Sequence, residues 1–458
     1  MCCKMTRRKT GFQFMPNEII SLIFVECTRD LKEINIAINI SHVCQQWRSI
    51  ALSLPSLWTS FWYTARKRRN PMDIIRPANT RACKLFDLYL RRSQSQLLDL
   101  GFDFREVKID ERRLKILKKA LPHVARWRHL TILASSKPYC VEKFLLSHFQ
   151  KLCAPHLQYL AIDTGAMNSY WDVRVDLLPS LFKGGVPNLT FLWMGAIVWK
   201  KCLPPLLNIT TLLLEDDLSH PSTIVFVWSE FVKILSLPAL SNLSLKGRSF
   251  SHPRTLDMLR PVVMEKLQHL RVDYRGAHSL LLLLRAPLLQ TLALHNIIFI
   301  RPTHADVYSF PSLHSLVLNE CFISASGAPY VEQMSSEVKN VIISRDCNLH
   351  PINFRWPRLE DLTLNLSEID VKFYMASIEH YAGQSITCRI HRDYLEMWKR
   401  AHPIEFAVLH RTCTIKEIPP EKYIKEAIWP PDSDDYFNAH NENDHFAIPQ
   451  VHGQMEDH

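Results

Sequence analysis

The stretch PLLQTLAL, residues Pro287–Leu294, shows the pattern that decides the fold of this chain. Its core leucines, Leu289, Leu292 and Leu294, follow the spacing apolar-x-x-apolar-x-apolar. Because one residue separates Leu292 from Leu294, both side chains belong to the same side of a short strand. Pro287 precedes the strand, where its missing N–H costs least. The stretch therefore predicts a short strand with one buried side.

The same pattern recurs along the chain. Its first apolar positions run from Leu97 to Leu359 over ten intervals, an average of about 26 residues. This spacing falls within the ~20–29 residues of leucine-rich repeats. Clear copies begin at Pro155, Pro187, Pro238, Pro287, Pro311 and Pro357, and weaker ones at Leu97, Trp127, Ile209, Leu267 and Val338.

These repeats predict a fold class. In leucine-rich repeats each strand is followed by a helix or a turn, and stacked units close a continuous core. The Asn or Cys that usually follows the strand is matched only by Cys321, which predicts irregular stacking. We therefore expect an α/β protein with an irregular leucine-rich-repeat-like solenoid over residues 85–416. Leucine-rich core strands of any other α/β protein also produce this spacing, and that alternative stays open.

Residues 11–62 have helical rather than strand periodicity. Pro16 stands at a favoured first helical position, and Ile19, Ile20 and Ile23 follow as an apolar face. A second periodic stretch ends at Pro55. A module of about fifty residues cannot easily bury all of these apolar side chains within itself, so part of this face is expected to contact a partner.

Three segments of this region, FMPNEIISLIF, VCQQWRSIA and PSLW, resemble the F-box family in sequence and in order, with Met15 where Leu is usual. The resemblance implies a three-helix, all-α F-box over residues 11–62. It also implies binding to the adaptor Skp1 and, through Skp1, to a cullin-RING ubiquitin ligase of the SCF type. By motif position, the residues that face Skp1 are Met15, Pro16, Ile19, Ile20, Ile23, Phe24, Val43, Cys44 and Trp47.

The resemblance further implies a substrate-receptor subunit in which the repeats bind a protein substrate. In such solenoids, the residues that flank the inward strand positions line the concave binding face. Phe191 and Trp193 beside charged residues are typical of an interface hot spot. We therefore expect substrate contacts from Tyr159, Phe191, Trp193, Glu215, Lys246, His269, Arg271 and Asp273. The alternative is a leucine-rich-repeat scaffold that acts outside a ubiquitin ligase.

Composition argues against catalysis by this chain. Only 11 of 458 residues are Gly, and no glycine-rich phosphate loop occurs. The sequence contains no GxSxG nucleophile elbow, no HExxH zinc-protease motif and no CxxC pair. We therefore expect no enzyme activity, no cofactor and no metal. No apolar run approaches the ~20 residues that span a bilayer. The twelve cysteines are scattered, which favours a reducing intracellular compartment, the cytoplasm or the nucleus.

Charge divides the chain unevenly. Residues 1–130 carry 25 basic and 11 acidic side chains, whereas residues 417–458 carry 2 and 10. We expect a basic linker at 63–84 and an acidic, mostly disordered tail at 417–458. The basic residues lie in short separate clusters without a nucleic-acid-binding motif, so nucleic acid is not the expected partner.

Overall fold

The fold is seen in a computed structural model, which describes most of the chain between residues 15 and 418. The described residues are 15–27, 36–65, 78–107, 109, 113–134, 138–163, 172–173, 178–195, 198–199, 202–215, 225–226, 228–247, 260–274, 277–300, 307–344, 347–349, 355–365 and 386–418.

Among the described residues, fourteen strands form one large sheet, and their order in the sheet follows their order along the chain. The pairings whose register is known are all parallel. The strands are β1 Ser60–Thr64, β2 Leu98–Asp103, β3 Trp127–Leu133, β4 Tyr159–Asp163, β5 Phe191–Met194, β6 Thr211–Glu215, β7 Asn242–Lys246, β8 His269–Asp273, β9 Thr291–His295, β10 Ser315–Asn319, β11 Asn340–Ser344, β12 Asp361–Asn365, β13 Thr387–His391 and β14 Thr414–Ile418.

The chain divides into two compact units, and β1 to β4 belong to the first. This unit comprises Met1–Gly165, Leu178–Leu189 and Lys201–Pro205. Two 3₁₀ turns, Pro55–Trp58 and Leu121–Arg126, lead into β1 and β3. Its helices are α1 Asn17–Cys27, α2 Ile36–Ser41, α3 Gln45–Ser53, α4 Ala78–Arg92, α5 Lys115–Ala120 and α6 Pro138–His148.

The second unit contains β5 to β14. It comprises Ala166–Leu177, Thr190–Lys200 and Leu206–His458. Short strands outside the large sheet pair in parallel, as between Ile298–Phe299 and Phe322–Ile323. Its helices are α7 Trp228–Leu235, α8 His278–Leu283, α9 Ala328–Met334, α10 Arg392–Ala401 and α11 Pro403–Thr412.

The leucine pattern located β5 to β12 of the second unit, but no copy of the pattern covers β13 or β14. The copy that begins at Pro287 contains the first residues of β9, and its Leu292 and Leu294 are both fully buried. In-register pairing places equivalent residues of neighbouring strands side by side, so each core position becomes a continuous aliphatic row. One such row is formed by Leu212, Leu243, Leu270, Leu292 and Leu316.

The predicted fold class, however, is wrong. In place of an all-α F-box followed by an irregular leucine-rich-repeat-like solenoid, the chain has a mixed α/β fold dominated by the 14-stranded sheet. Eleven α-helices occur among the described residues. The first three are not a separate helical domain, because the chain continues from α3 through one 3₁₀ turn directly into β1. Trp58 in that turn donates a hydrogen bond to the carbonyl oxygen of Ala51 at 2.8 Å and packs on Tyr89 of α4.

The expected domain boundaries fall inside elements of this fold. The boundary between 11–62 and 63–84 lies within β1, and the boundary between 63–84 and 85–416 lies within α4. The start of the expected tail, 417–458, lies within β14. Residues 66–77 of the expected linker and 419–458 of the expected tail lie outside the described residues.

None of the helices in the described part of the chain is long and apolar enough to cross a membrane.

Candidate functional site

Helix α1 carries large apolar side chains on two faces. Ile20 and Phe24 are 1% and 2% exposed, as expected for residues four positions apart on the inner face of a helix. Ile19, Leu22 and Ile23 are 44%, 66% and 40% exposed. Their spacing of three and four residues places them on a second face of α1. An apolar second face is unusual for a helix at a protein surface, where polar residues normally face water.

A fourth aliphatic residue of this region is also exposed. Val43 lies in the turn between α2 and α3 and is 60% exposed, although its backbone N–H is bound to the carbonyl oxygen of Ile40 at 3.2 Å. This backbone hydrogen bond fixes the position of Val43, while its side chain remains exposed to solvent. We refer to Ile19, Leu22, Ile23 and Val43 together as the apolar surface.

The apolar surface is supported from beneath by contacts between α1 and α3. The rings of Phe24 and Trp47 meet edge to face, with centroids 4.9 Å apart. The Gln46 Nε2 atom donates to the Asn17 Oδ1 atom at 3.0 Å, which joins the first residue of α1 to the first turn of α3. Aromatic pairs of this geometry stabilise by about 0.5–1.5 kcal/mol beyond the area that they bury.

Cys44 caps the N-terminus of helix α3. Its backbone is extended, with φ −156° and ψ 172°, and its Sγ atom accepts a hydrogen bond from the backbone N–H of Trp47 at 3.4 Å. A side-chain acceptor at this position satisfies one of the free N–H groups of the first helical turn. Cys44 is itself exposed, so the cap that fixes the start of α3 lies at the surface beside Val43.

The nine residues expected to face Skp1 divide by exposure. Pro16, Ile19, Ile23, Val43 and Cys44 are exposed, Met15 and Trp47 are half-buried, and Ile20 and Phe24 are buried. Leu22, at 66%, is more exposed than any aliphatic residue of that set, and sequence reasoning missed it. Its spacing from Ile19, three residues on the same helix, was the signal that could have identified it.

The eight residues expected to bind a substrate are placed differently. We expected exposed side chains, but the structure buries all of them except His269, which is half-buried. Trp193 and Phe191 of β5, the expected aromatic anchors, are only 8% and 9% exposed. The expectation of an open face is therefore wrong for these residues. The buried ones are Tyr159, Phe191, Trp193, Glu215, Lys246, Arg271 and Asp273.

Several of these charged residues have hydrogen-bond or ion-pair partners within the second unit. The Arg271 Nη2 atom donates to the Glu215 Oε1 atom at 2.5 Å, and its Nε atom donates to the Ser244 Oγ atom at 2.8 Å. The Ser244 hydroxyl in turn donates to Glu215 Oε1 at 2.5 Å. The three residues lie on β6, β7 and β8, and they close a triangle of hydrogen bonds. A buried charge requires such partners, because an unpaired one is strongly destabilising.

A second buried pair lies on β8 and the neighbouring strand β9. The Nδ1 atom of His295 lies 3.0 Å from the Oδ1 atom of Asp273, and its Nε2 atom lies 3.3 Å from the carboxylate of Glu320. Asp273 and His295 are direct register partners on β8 and β9. Both are almost fully buried, so this arrangement also belongs to the interior. Among the described residues, no group of three or more metal-ligating side chains is placed to hold an ion.

Comparison with known proteins adds no family assignment. No protein-family model matches the chain, and none of the curated proteins matches it.

Proposed function

We propose that this chain is a substrate-receptor subunit of an SCF-type cullin-RING ubiquitin ligase that binds Skp1 through the apolar surface. The observation that carries the proposal is the exposure of four large aliphatic side chains between residues 19 and 43. These side chains lie within the segments whose sequence resembles the F-box family. Apolar side chains grouped in this way at a surface mark a partner site.

The geometry of α1 suits a protein partner. Exposed residues at positions i, i+3 and i+4 are the usual anchors of a helix that lies in an apolar groove. Full burial of an aliphatic side chain contributes roughly 1.5–3 kcal/mol, so the four together supply a useful part of a specific affinity after the costs of association are subtracted. The polar contact between Gln46 and Asn17 and the cap at Cys44 keep these anchors in a fixed arrangement before a partner arrives.

In this proposal the chain itself performs no chemistry. Ubiquitin transfer belongs to the RING and E2 partners, and the receptor contributes proximity between them and a protein substrate. The proposal places the protein in the cytoplasm or the nucleus. It needs no cofactor and no metal.

The proposal is tested by co-expressing the full chain with Skp1 and measuring complex formation by size-exclusion chromatography. The test variant is Leu22→Asp with Val43→Asp, since both side chains are exposed and neither supports the interior. The matched control is Leu288→Asp with Val263→Asp, which changes the same residue types at sites that are 47% and 56% exposed. We expect a one-to-one complex for the unchanged chain and the control, and loss of the complex for the test variant.

Two outcomes would overturn this function. A chain that elutes without Skp1 would favour the alternative of a protein-interaction scaffold acting outside a ubiquitin ligase. A complex that survives the Leu22→Asp and Val43→Asp changes would place the Skp1 contact elsewhere. Circular dichroism of every variant distinguishes loss of binding from loss of folding.

A further inference from the structure

A strongly basic surface lies in the first unit, on α4, α5 and the 3₁₀ turn Leu121–Arg126. These three elements contain eight Lys or Arg residues and a single acidic residue, Asp87. In the sequence the cations form separate short clusters. The fold brings the clusters together, because α4 and α5 pack against each other and the 3₁₀ turn continues α5.

Two of the cations hold this region together. The Lys119 Nζ atom lies 2.7 Å and 2.8 Å from the two carboxylate oxygens of Asp87, which ties α5 to α4. The Arg126 guanidinium donates to the Ser93 Oγ atom at 2.6 Å and to the Gln96 carbonyl oxygen at 2.8 Å. The single carboxylate of these three elements is therefore already paired with Lys119.

None of the other cations of these elements forms an ion pair with a carboxylate of the described residues. Arg81, Lys84, Lys115 and Lys118 are exposed, and none has a carboxylate within ion-pair distance in the described part of the chain. Arg91 is also exposed. Repulsion among so many like charges costs free energy, which an anionic partner would relieve. We call Arg81, Lys84, Arg91, Lys115 and Lys118 the basic surface.

A cleft of about 490 Å³ opens within this region and is lined by Asp87, Leu90, Arg91 and His123. Leu90 gives the cleft an apolar wall, whereas Arg91 and His123 supply polar atoms at its edge. Burial, and then the charge of Arg126, lowers the pKa of His123, consistent with a locally positive environment. A ligand that fits both features has carboxylates and at least one aliphatic side chain.

These features distinguish a polypeptide from a nucleic acid. Proteins that bind single strands present exposed aromatic side chains on which bases stack. Every Phe, Tyr and Trp described between residues 78 and 134 is buried, at 3% exposure or less. These are Phe86, Tyr89, Phe102, Phe104 and Trp127. Residues 78–134 therefore supply positive charge, but their described aromatic side chains offer no exposed ring on which a base could stack.

We propose that the basic surface binds an acidic, Glu- or Asp-rich segment of a partner polypeptide, with an aliphatic side chain seated against Leu90. This function goes beyond Skp1 binding and uses different residues. It can therefore hold whether or not the apolar surface binds Skp1.

The test uses the full chain without Skp1 and a fluorescein-labelled peptide of alternating Glu and Leu, followed by fluorescence anisotropy. A peptide with Gln in place of Glu controls for apolar binding. The variant Lys115→Glu with Lys118→Glu changes two exposed side chains, and we expect it to weaken binding of the acidic peptide by roughly tenfold. The matched variant Lys151→Glu with Lys183→Glu makes the same charge change at exposed sites elsewhere in this unit, and we expect less than about a twofold effect.

Each other outcome overturns the proposal. Equal weakening by the two charge-reversal variants would show attraction to net charge alone. Equal binding of the Gln peptide would show an apolar site, and no binding of the Glu peptide would show no site. Tighter binding of a labelled oligothymidylate than of the Glu peptide, with a steep dependence on salt, would assign the surface to nucleic acid.

Discussion

Phe24 of α1 and Trp47 of α3 meet edge to face, with ring centroids 4.9 Å apart and ring planes inclined at 67°. Both belong to the set expected to face Skp1, yet Phe24 is buried and Trp47 is half-buried. This contact therefore supports the apolar surface from inside rather than forming part of it. Substitutions at these two residues test the fold, whereas substitutions at Leu22 and Val43 test binding.

Phe24→Ala should destabilise the N-terminal helices by about 3 kcal/mol, because it removes a buried ring and its contact with Trp47. Leu22→Ala, two residues away but 66% exposed, should change stability by less than about 0.5 kcal/mol. Amide hydrogen exchange across α1 and α3 measures both effects in the full chain. Equal protection in the two variants would contradict the inner and outer faces assigned to α1.

The sequence located the strands better than it predicted the way they associate. Leucine spacing reports which residues share one side of a strand, and Leu292 and Leu294 are indeed buried. It does not report the pairing of strands, so the single 14-stranded sheet and the direct passage from α3 into β1 were not foreseen.

Exposure was harder to predict than strand position. Alternation along β8 placed Arg271 and Asp273 on the side opposite Leu270 and Val272, but it does not show what else covers that side. Arg271 is buried with Glu215, a residue 56 positions earlier in the chain. Leu22 was missed for a related reason, since a family motif transfers roles to matched positions and not to their helical neighbours.

Arg271→Met should destabilise the second unit by about 3 kcal/mol, because it leaves the carboxylate of Glu215 buried without its cation. The double variant Arg271→Met with Glu215→Leu should recover most of that loss, since it removes both charges. Urea unfolding followed by tryptophan fluorescence measures the two variants and the single Glu215→Leu change. Strictly additive effects would show that the two side chains do not interact.

Stability should fall as the pH drops below 6.5, partly through His129. Burial is the largest influence and lowers the pKa of His129, Asp99 at 3.3 Å opposes this, and Arg128 adds to the lowering. The unfolded chain therefore takes up the proton before the folded chain does, so the stabilisation is complete above the ordinary value of 6.5 and is lost below it.

His129→Gln should make this pH dependence shallower without abolishing it, since the pKa values of His123 and His278 are also lowered by burial. Urea midpoints measured on both sides of pH 6.5 provide the comparison. If the urea midpoint of the variant changes with pH as steeply as that of the unchanged chain, His129 does not contribute to the pH dependence.

Cysteine labelling should separate the surface thiols from the interior ones and report on the partner site. Cys27, Cys44 and Cys153 are exposed, whereas Cys388 is buried, and its hydrogen bond with Cys413 together with burial raises its pKa. Because the thiolate is the reactive form, iodoacetamide should modify Cys388 about a hundredfold more slowly than the three exposed thiols, with all four reacting alike in urea.

The same reagent then tests the apolar surface without any mutation. Cys44 follows Val43 directly in the chain, so a bound Skp1 should protect Cys44 from iodoacetamide. Cys153, which lies between α6 and β4, should react at the same rate with and without Skp1 and serves as the internal control. Mass spectrometry of peptides containing each cysteine gives both rates from one sample. Protection of Cys153 but not Cys44 would move the Skp1 contact away from the N-terminal helices, because proximity to the partner is what slows the reaction.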